Sequence, residues 1–321
     1  MRTCCNLPKG VILNGMDVAI FGEHAKIRRF MELQYSNGGD RRLEVIDSQI
    51  VLAEYGPMRI QIQAFEHEKP LVDLAMEGGR AAFAVLEDLA RFLPVLKMKV
   101  LQIEEKPTFP EVVRNMISAC KKMEAHDLTP LAAVAGAASD VVADFLIARG
   151  GTRIIVDNGG DIAIRLKGAE QARIGIKTEI DARKPGYLLV IDSQMGVGGV
   201  ATSGLGGRSF TKGIASAVTV IADNASSADA AATVIANATN VEHPAITRCL
   251  PETVYPDTDI AGEWVTESVG KLPPEKISEA LRKGLSEAYR LHRKAHIKGA
   301  FIAVKGSVVW TDSMNGVVRK L

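Results

Sequence analysis

The segment that most constrains the fold of this chain runs from Pro130 to Arg149. It is rich in alanine, nearly apolar, and followed by Gly150-Gly151, a pair typical of the end of a helix. A helix without a polar face is buried on most of its sides, and small side chains let neighbouring elements approach closely. We therefore predict a central helix over this range, packed inside a sizeable core.

Short apolar runs and turns surround this helix. Strands at 42–52 and 59–65, turned at Tyr55-Gly56-Pro57, and a hairpin over 301–310, turned at Lys305-Gly306, predict antiparallel pairs. The remaining predicted strands are 153–157, 161–166, 172–176, 187–192 and 217–222, and the remaining predicted helices are 71–93, 110–123, 227–237 and 274–296. Strand pairs grouped around runs of helices indicate an α+β fold rather than regular α/β alternation.

Composition limits the classes of partner. With 39 basic and 38 acidic residues the formal charge is +1, so no general field attracts nucleic acid or an anionic membrane. The apolar runs are shorter than the roughly 20 residues that cross a bilayer. Residues 1–10 also lack the apolar region of a secretion signal. We expect a cytoplasmic protein without a nucleic-acid or membrane partner.

The domain organisation is predicted from periodicity. Residues 1–40 show little of it and close with the turn residues 36–40, which indicates an N-terminal appendage. The main domain then covers 41–321, in one lobe or two. Its small-residue helices allow close packing between subunits, so a homodimer is one expected assembly.

The most informative pair of polar residues is Asp229 and Thr233. On a helix, residues four apart lie on one face about a turn from each other. A carboxylate and a hydroxyl placed in this way suit Mg²⁺, which takes few protein ligands and completes its shell with water and substrate phosphates. Ser226 followed by Asp229 also fits a capping box at a helix start, so the spacing alone leaves both interpretations open.

Two glycine-containing segments are candidate binding loops. Residues 157–161, Asp-Asn-Gly-Gly-Asp, follow a predicted strand, and their glycines allow left-handed backbone that leaves amides open to a phosphate or a flavin edge. Taken alone, the segment favours an ordinary hairpin turn, because Asn-Gly is a leading signal for one. Residues 198–204 offer two hydroxyls for a phosphate or ribose, with Arg208 or Lys212 adding charge, although a flexible loop fits too.

In their order along the chain, these segments resemble the ApbE family of flavin transferases, which move FMN from FAD onto a protein threonine with Mg²⁺. The resemblance covers about residues 125–240. The family's Asp-x-Gly-Ala-Ile-Ala-Lys-Gly corresponds to 129–136, and its Gly-Gly-Asp to Gly159, Gly160 and Asp161. Its Ala-Thr-Ser-Gly corresponds to 201–204, and its Ala-Asp-x-x-x-Thr to 228–233. The implied fold is ApbE-like, a T-fold-like arrangement of antiparallel sheets packed with helices.

The resemblance also implies the site residues. Asp229, Thr233 and the backbone carbonyl of Ala132 would bind Mg²⁺. The residues that would line the FAD or FMN site are Thr129, Gly159, Gly160, Asp161, Thr202, Ser203 and Gly204. The implied partners are a small phosphate-bearing ligand and a protein that accepts the flavin.

Three departures from the family pattern predict a divergent activity. Ala135 stands at the family's lysine and Thr129 at its aspartate, and no His-x-x-Asp-Pro segment lies between Gly204 and Val218. Losing charged contacts in a buried phosphate site weakens binding and transition-state stabilisation by roughly several kcal/mol. The sequence therefore leaves open whether flavin transfer survives.

The chain resembles most an uncharacterised branch of this fold, found mainly in archaea and anaerobes. That branch shares a segment similar to 130–137 and has been linked with sulfur assimilation towards homocysteine. The resemblance therefore gives an alternative function, a non-flavin accessory protein that carries a persulfide on a cysteine. The candidate thiols are Cys4, Cys5, Cys120 and Cys249.

Overall fold

A large antiparallel sheet forms the middle layer of the protein. The computed structural model describes residues 41–180 and 182–321 and the backbone of Val18–Ala19. The strands are β1 (Val18–Ala19), β2 (Arg42–Asp47), β3 (Ile50–Tyr55), β4 (Met58–Glu66), β5 (Lys69–Pro70), β6 (Arg153–Asp157), β7 (Ile162–Leu166), β8 (Gln171–Ile176), β9 (Tyr187–Asp192), β10 (Gly199–Ser203), β11 (Ala217–Ala222), β12 (Ile246–Cys249), β13 (Val265–Val269), β14 (Gly299–Val304), β15 (Ser307–Trp310) and β16 (Val318–Lys320). The large sheet has the order β15-β14-β11-β10-β7-β6-β4-β3-β2, with β5 on β4.

A smaller sheet and a two-stranded ribbon complete the β structure. The smaller sheet has the order β1-β8-β9-β16, and β12 pairs with β13 in the ribbon. Neighbouring strands run antiparallel throughout the described residues except for β1, which pairs with β8 in parallel. The α+β class predicted from the sequence is confirmed by this pairing.

The helices form the third layer. Among the described residues the α-helices are α1 (Val72–Leu96), α2 (Glu111–Lys122), α3 (Val134–Ile147), α4 (Ala225–Ala238) and α5 (Pro274–Arg293). A 3₁₀ turn over Pro130–Ala133 leads directly into α3, so the predicted central helix begins as this tighter turn. The helix predicted over 71–93 extends to Leu96 as α1, with Pro94 inside its last turn.

Alternating side chains of the central strands feed two cores. In β14, Ala300, Ile302 and Val304 pack towards the helices, while Phe301 and Ala303 pack towards the small sheet. Side chains alternate along a strand, so a strand between two apolar layers is buried on both faces. The result is a layered arrangement of helices, large sheet and small sheet.

The central helix segment is apolar because it is packed inside the protein. Pro130–Ile147 has 18 residues with a mean hydropathy of 1.6, enough by length and composition to cross a membrane, and 56% of the segment is buried. It packs against α1, α4, β6 and β7. Burial against these neighbours explains its apolar composition, as the sequence predicted.

Two local predictions were wrong. The stretch 42–52 is not one strand but β2 and the start of β3, joined by a tight turn at Ser48-Gln49. Residues 199–203, for which a flexible loop was one interpretation, form β10 between β7 and β11. Their small side chains fit this buried position, where Gly199 lies against the start of α4 and an added Cβ would sit 2.2 Å from Ala225 N. The N-terminal appendage lies largely outside the described residues.

Candidate functional site

The first turns of α3 and α4 cross at very short range. An added Cβ at Gly136 of α3 would lie 2.3 Å from the carbonyl oxygen of Ala225 and 2.9 Å from Cβ of Asp229. Real Cβ atoms do not approach so closely, so only glycine fits at this position. The small residues of the two segments therefore bring the Asp229 carboxylate against the start of α3.

Asp229 caps the neighbouring helix rather than its own. Its Oδ2 accepts a hydrogen bond of 3.0 Å from the Gly136 amide, and its carboxylate also accepts from the Ala135 amide. The residue is only 9% exposed, and this burial raises the pKa of its carboxyl to about 7. The two amides and the more distant charge of Arg208 oppose the rise, and the negative charge of Asp140 adds to it.

Asp140 of α3 makes the reciprocal contact with α4. Its two oxygens accept from the amides of Ala225 at 2.9 Å and Ser226 at 2.8 Å. Arg165 lies 3.1 Å from the same carboxylate, which is 2% exposed. Burial raises the pKa of Asp140, and Arg165 and the two amides offset that rise. This carboxylate therefore has a cation of its own.

The predicted capping box at Ser226 is wrong. Helix α4 begins one residue after Asn224, whose side chain accepts from the Ser227 amide at 2.8 Å. Ser226 is inside the first turn, and its amide donates to Asp140. Asp229 therefore does not take part in a capping box at the start of its own helix. A capping box is thus not the reason for an aspartate at this position.

The turn 157–161 carries a second carboxylate to the same place. Gly159 and Gly160 have φ values of +75° and +105°, which confirms the predicted left-handed glycines. The Gly160 amide donates to Asp157 Oδ1 at 2.7 Å, and Ser139 of α3 donates to the Asp161 backbone carbonyl at 2.9 Å. These bonds hold the turn against α3.

Asp161 shares its surroundings with Asp229. Its carboxylate accepts from the Thr202 amide, and burial together with the charge of Asp229 raises the pKa of Asp161 well above its usual range. Arg208 lies close enough to lower it again in part. The structure therefore joins the 157–161 turn, the end of β10 and the start of α4 in one electrostatic environment.

The residues at the end of β10 line this environment with few free groups. The Thr202 hydroxyl is 2.8 Å from that of Thr219 on β11, so it is already paired. Ser203 and Gly204 are buried, and Gly204 has a φ of +134° with the Ala215 carbonyl close by. The strand thus offers backbone and the half-buried Thr202 rather than a flexible loop.

Thr129 has a partner that the sequence did not reveal. Its hydroxyl donates to Asp259, which comes from the segment between β12 and β13. The charges of Asp229 and Asp259 both raise the pKa of the Cys120 thiol. Thr129, which stands where the family pattern has an aspartate, therefore has a carboxylate beside it. This carboxylate belongs to Asp259, 130 positions further along the chain.

Asp229, Thr233 and Ala132 fit a hard cation. The Asp229 carboxylate has no basic side chain within 4 Å in the described part of the chain, and the Thr233 hydroxyl has no hydrogen-bond partner there. Ala132 lies in the 3₁₀ turn that packs against α4. Within that same part, no group of three or more His, Cys, Asp and Glu side chains is arranged for a metal. Carboxylate, hydroxyl and carbonyl oxygens are nevertheless the donor types that Mg²⁺ takes, and Mg²⁺ fills the rest of its shell with water and ligand phosphates.

The comparisons with known proteins identify the family of this chain. A family model described as "AbpE bacteria" matches residues 43–310, and the chain belongs to this ApbE-like family. A UPF0280 protein of Methanosarcina barkeri is 34% identical over 171 residues, which are 53% of this chain and 65% of the relative. A UPF0280 protein of Methanococcoides burtonii is 32% identical, with 56% of this chain and 73% of the relative covered.

One solved structure is the flavinyl transferase ApbE of Pseudomonas stutzeri in its apo form. It shows 15% identity and a TM-score of 0.48, with 87% of this chain and 98% of that chain covered. The archaeal relatives confirm the branch of the family that the sequence resembled.

Sequence reasoning missed Asp140 and Asp259. Asp140 carried a signal, because a charged residue inside a nearly apolar helix is rarely buried without a partner. Its partner Arg165 lies on another element, the strand β7, so no spacing along a helix could predict the pair. Asp259 lies in an irregular segment and has no local pattern that points to Thr129.

Proposed function

We propose that the protein binds a flavin nucleotide, FAD or FMN, or another ligand that bears a phosphate, through Mg²⁺ at Asp229 and Thr233, as a divergent flavin transferase. The observation that carries this proposal is the Asp229 carboxylate, which is buried without a cation of its own while the reciprocal carboxylate of Asp140 has Arg165. A buried carboxylate is costly unless its charge is compensated. A bound divalent cation supplies that compensation.

Each part of the site has a separate role in this proposal. Asp229, Thr233 and the carbonyl of Ala132 would hold the cation, and the cation would neutralise phosphate charge when bound. The glycine turn at 159–160 and the end of β10 would leave backbone close to the ligand.

Calorimetry with FAD tests the proposal directly. We expect wild-type protein to bind FAD when Mg²⁺ is present, and we expect Asp229→Ala to weaken this binding at least about tenfold. Asp223→Asn is the matched control, because Asp223 lies two positions before α4 and its side chain is 71% exposed. Equal FAD affinity in wild type and Asp229→Ala, with Mg²⁺ present, would refute the metal site.

The thiols in the described residues do not favour the persulfide alternative. Cys120 is fully buried, and burial and the charges of Asp229 and Asp259 raise the pKa of its thiol well above the usual range. Burial also raises the pKa of the half-buried Cys249. Sulfur transfer uses a thiolate, which both environments disfavour. Cys4 and Cys5 lie outside the described residues, and mass spectrometry after anaerobic treatment with polysulfide, which transfers sulfane sulfur to a thiolate without a further oxidant, would detect an added sulfur on either.

A further inference from the structure

Arg208 is the basic side chain that faces the two carboxylates of the candidate site. Its positive charge lowers the pKa of both Asp161 and Asp229, although it forms no ion pair with either within 4 Å. Its Nη2 donates to the Asn158 carbonyl oxygen at 2.6 Å and lies 3.2 Å from Asn158 Oδ1. The guanidinium is thereby held at the edge of the site by backbone and not by a carboxylate.

The guanidinium also explains one of the glycines. It lies over Gly159, where an added Cβ would be 2.5 Å from Nη2. Because residue 159 is a glycine, no side chain at this position covers the guanidinium of Arg208. Because both hydrogen bonds of Arg208 within the described residues are made by Nη2, the other donors of the guanidinium remain for a ligand.

Lys212, the other basic residue of the same segment, is already committed. Its Nζ is 2.5 Å from Asp127 Oδ2 and 3.0 Å from Glu263 Oε2. These two carboxylates balance its charge and tie it to the far side of the loop. Of the two residues that the sequence offered as anion contacts, only Arg208 contacts the 157–161 turn, and its charge acts on both Asp161 and Asp229.

We propose that Arg208 determines the specificity of the site for a phosphate-bearing ligand, by binding the anion that the cation at Asp229 also contacts. This inference rests on the proposed function. Before a cation binds, Arg208 partly balances the charge of the two carboxylates, and a cation entering there is repelled by it. Once the phosphate is bound, both positive groups act on the same anion. Arg208 therefore opposes the cation alone and supports the ligand.

The two roles predict effects of opposite sign for Arg208→Gln. Titrated with Mn²⁺ alone, this variant should bind the cation several-fold more tightly than wild type, because a repelling charge is gone. Titrated with FAD in the presence of Mg²⁺, it should bind at least about tenfold more weakly, because a charge-assisted contact is lost. Lys212→Gln is the matched control and should change neither affinity.

Arg208→Lys separates charge from geometry. It should leave Mn²⁺ affinity near the wild-type value and still weaken FAD binding, because lysine lacks the planar fork of arginine. Circular dichroism of each variant establishes that it is folded. Unchanged FAD affinity in folded Arg208→Gln, or weaker Mn²⁺ binding, would overturn the role of Arg208 alone. Wild-type protein that binds neither Mn²⁺ nor FAD would overturn the proposed function together with it.

Discussion

Asp140 and Asp229 are two buried carboxylates in nearly equivalent places. Each projects from one helix of the α3/α4 pair and accepts hydrogen bonds from amides at the start of the other. They differ in their counter-charge, because Asp140 has Arg165 at 3.1 Å and Asp229 has only the more distant Arg208. The charge of Asp140 is balanced by a residue of the protein, whereas in the proposed function the charge of Asp229 is balanced by a cation from solution.

Under the proposed function, this difference in counter-charge distinguishes a carboxylate that stabilises the fold from a carboxylate that binds a metal. Burial alone does not distinguish the two, since Asp140 is 2% and Asp229 is 9% exposed. Capping does not distinguish them either, because both carboxylates accept from a helix start. What separates them is whether an oppositely charged group satisfies the remaining lone pairs. The following predictions test that separation, from the largest effect to the smallest.

Replacing Asp140, whose charge is balanced by Arg165, should have the largest effect on the free energy of unfolding. Asp140→Ala leaves Arg165, whose side chain is 18% exposed, and two helix amides without their partner. We expect a loss of about 3–5 kcal/mol in the free energy of unfolding, measured with urea. Asp144→Ala is the control, because Asp144 also pairs with Arg165 but is 49% exposed, and it should cost about 1 kcal/mol or less. Equal costs would remove the distinction.

Replacing Asp229, which has no ion-pair partner within 4 Å among the described residues, should instead remove a loss of unfolding free energy that grows as pH rises. The pKa of Asp229 is raised to about 7 in the folded protein, and an unfolded aspartate has a pKa of about 3.9. Between these values the folded state holds a proton that the unfolded state has lost, so the unfolding free energy falls as pH rises and then levels off. Asp229→Asn lacks this group's contribution.

The comparison is made by urea unfolding in a chelator at pH 4 and pH 8. Relative to wild type, Asp229→Asn should gain about 2–4 kcal/mol in unfolding free energy between the two pH values. Asp223→Asn, which alters an exposed aspartate, should follow wild type at both. A constant difference between Asp229→Asn and wild type would show that folding does not raise the pKa of Asp229.

Separating the two helix starts should affect both carboxylates together. Gly136→Ala places a Cβ 2.3 Å from the Ala225 carbonyl oxygen, so α3 and α4 must move apart. We expect a loss of about 1–3 kcal/mol in unfolding free energy and weaker cation binding. At Gly186 the nearest atom to an added Cβ is 3.9 Å away, and Gly186→Ala should change unfolding by less than about 0.5 kcal/mol. Normal stability in Gly136→Ala would contradict the close crossing.

The smallest predicted effect is on the cation itself. A proton on Asp229 competes with the metal, so Mn²⁺ affinity should fall as pH drops below about 7. The expected change is roughly fivefold between pH 7 and pH 6, or about 1 kcal/mol, measured by calorimetry, because the ionised fraction of Asp229 falls from about one half to about one tenth. An affinity that is constant over this range would exclude Asp229 as a ligand with this pKa.

The sequence predicted what depends on local pattern. Some features are determined by a few neighbouring residues. They are the alanine-rich helix segment, the glycine pair at 159–160 and the hairpin at Lys305-Gly306. The pairing of Arg165 with Asp140 and of Asp259 with Thr129 depends on contacts made only by the folded chain. Strand β10 was ambiguous for a related reason, since its small residues are selected by packing against α4 rather than by strand propensity.

The central measurement is an anomalous difference map from crystals grown with MnCl₂ and FAD. The predicted result is a peak about 2.0–2.2 Å from the Asp229 carboxylate and the Thr233 hydroxyl, next to the Ala132 carbonyl and in contact with a ligand phosphate. No peak is expected at Asp140, where Arg165 already supplies the charge. Bound flavin with no manganese at Asp229, or manganese at Asp140 instead, would contradict the proposed site.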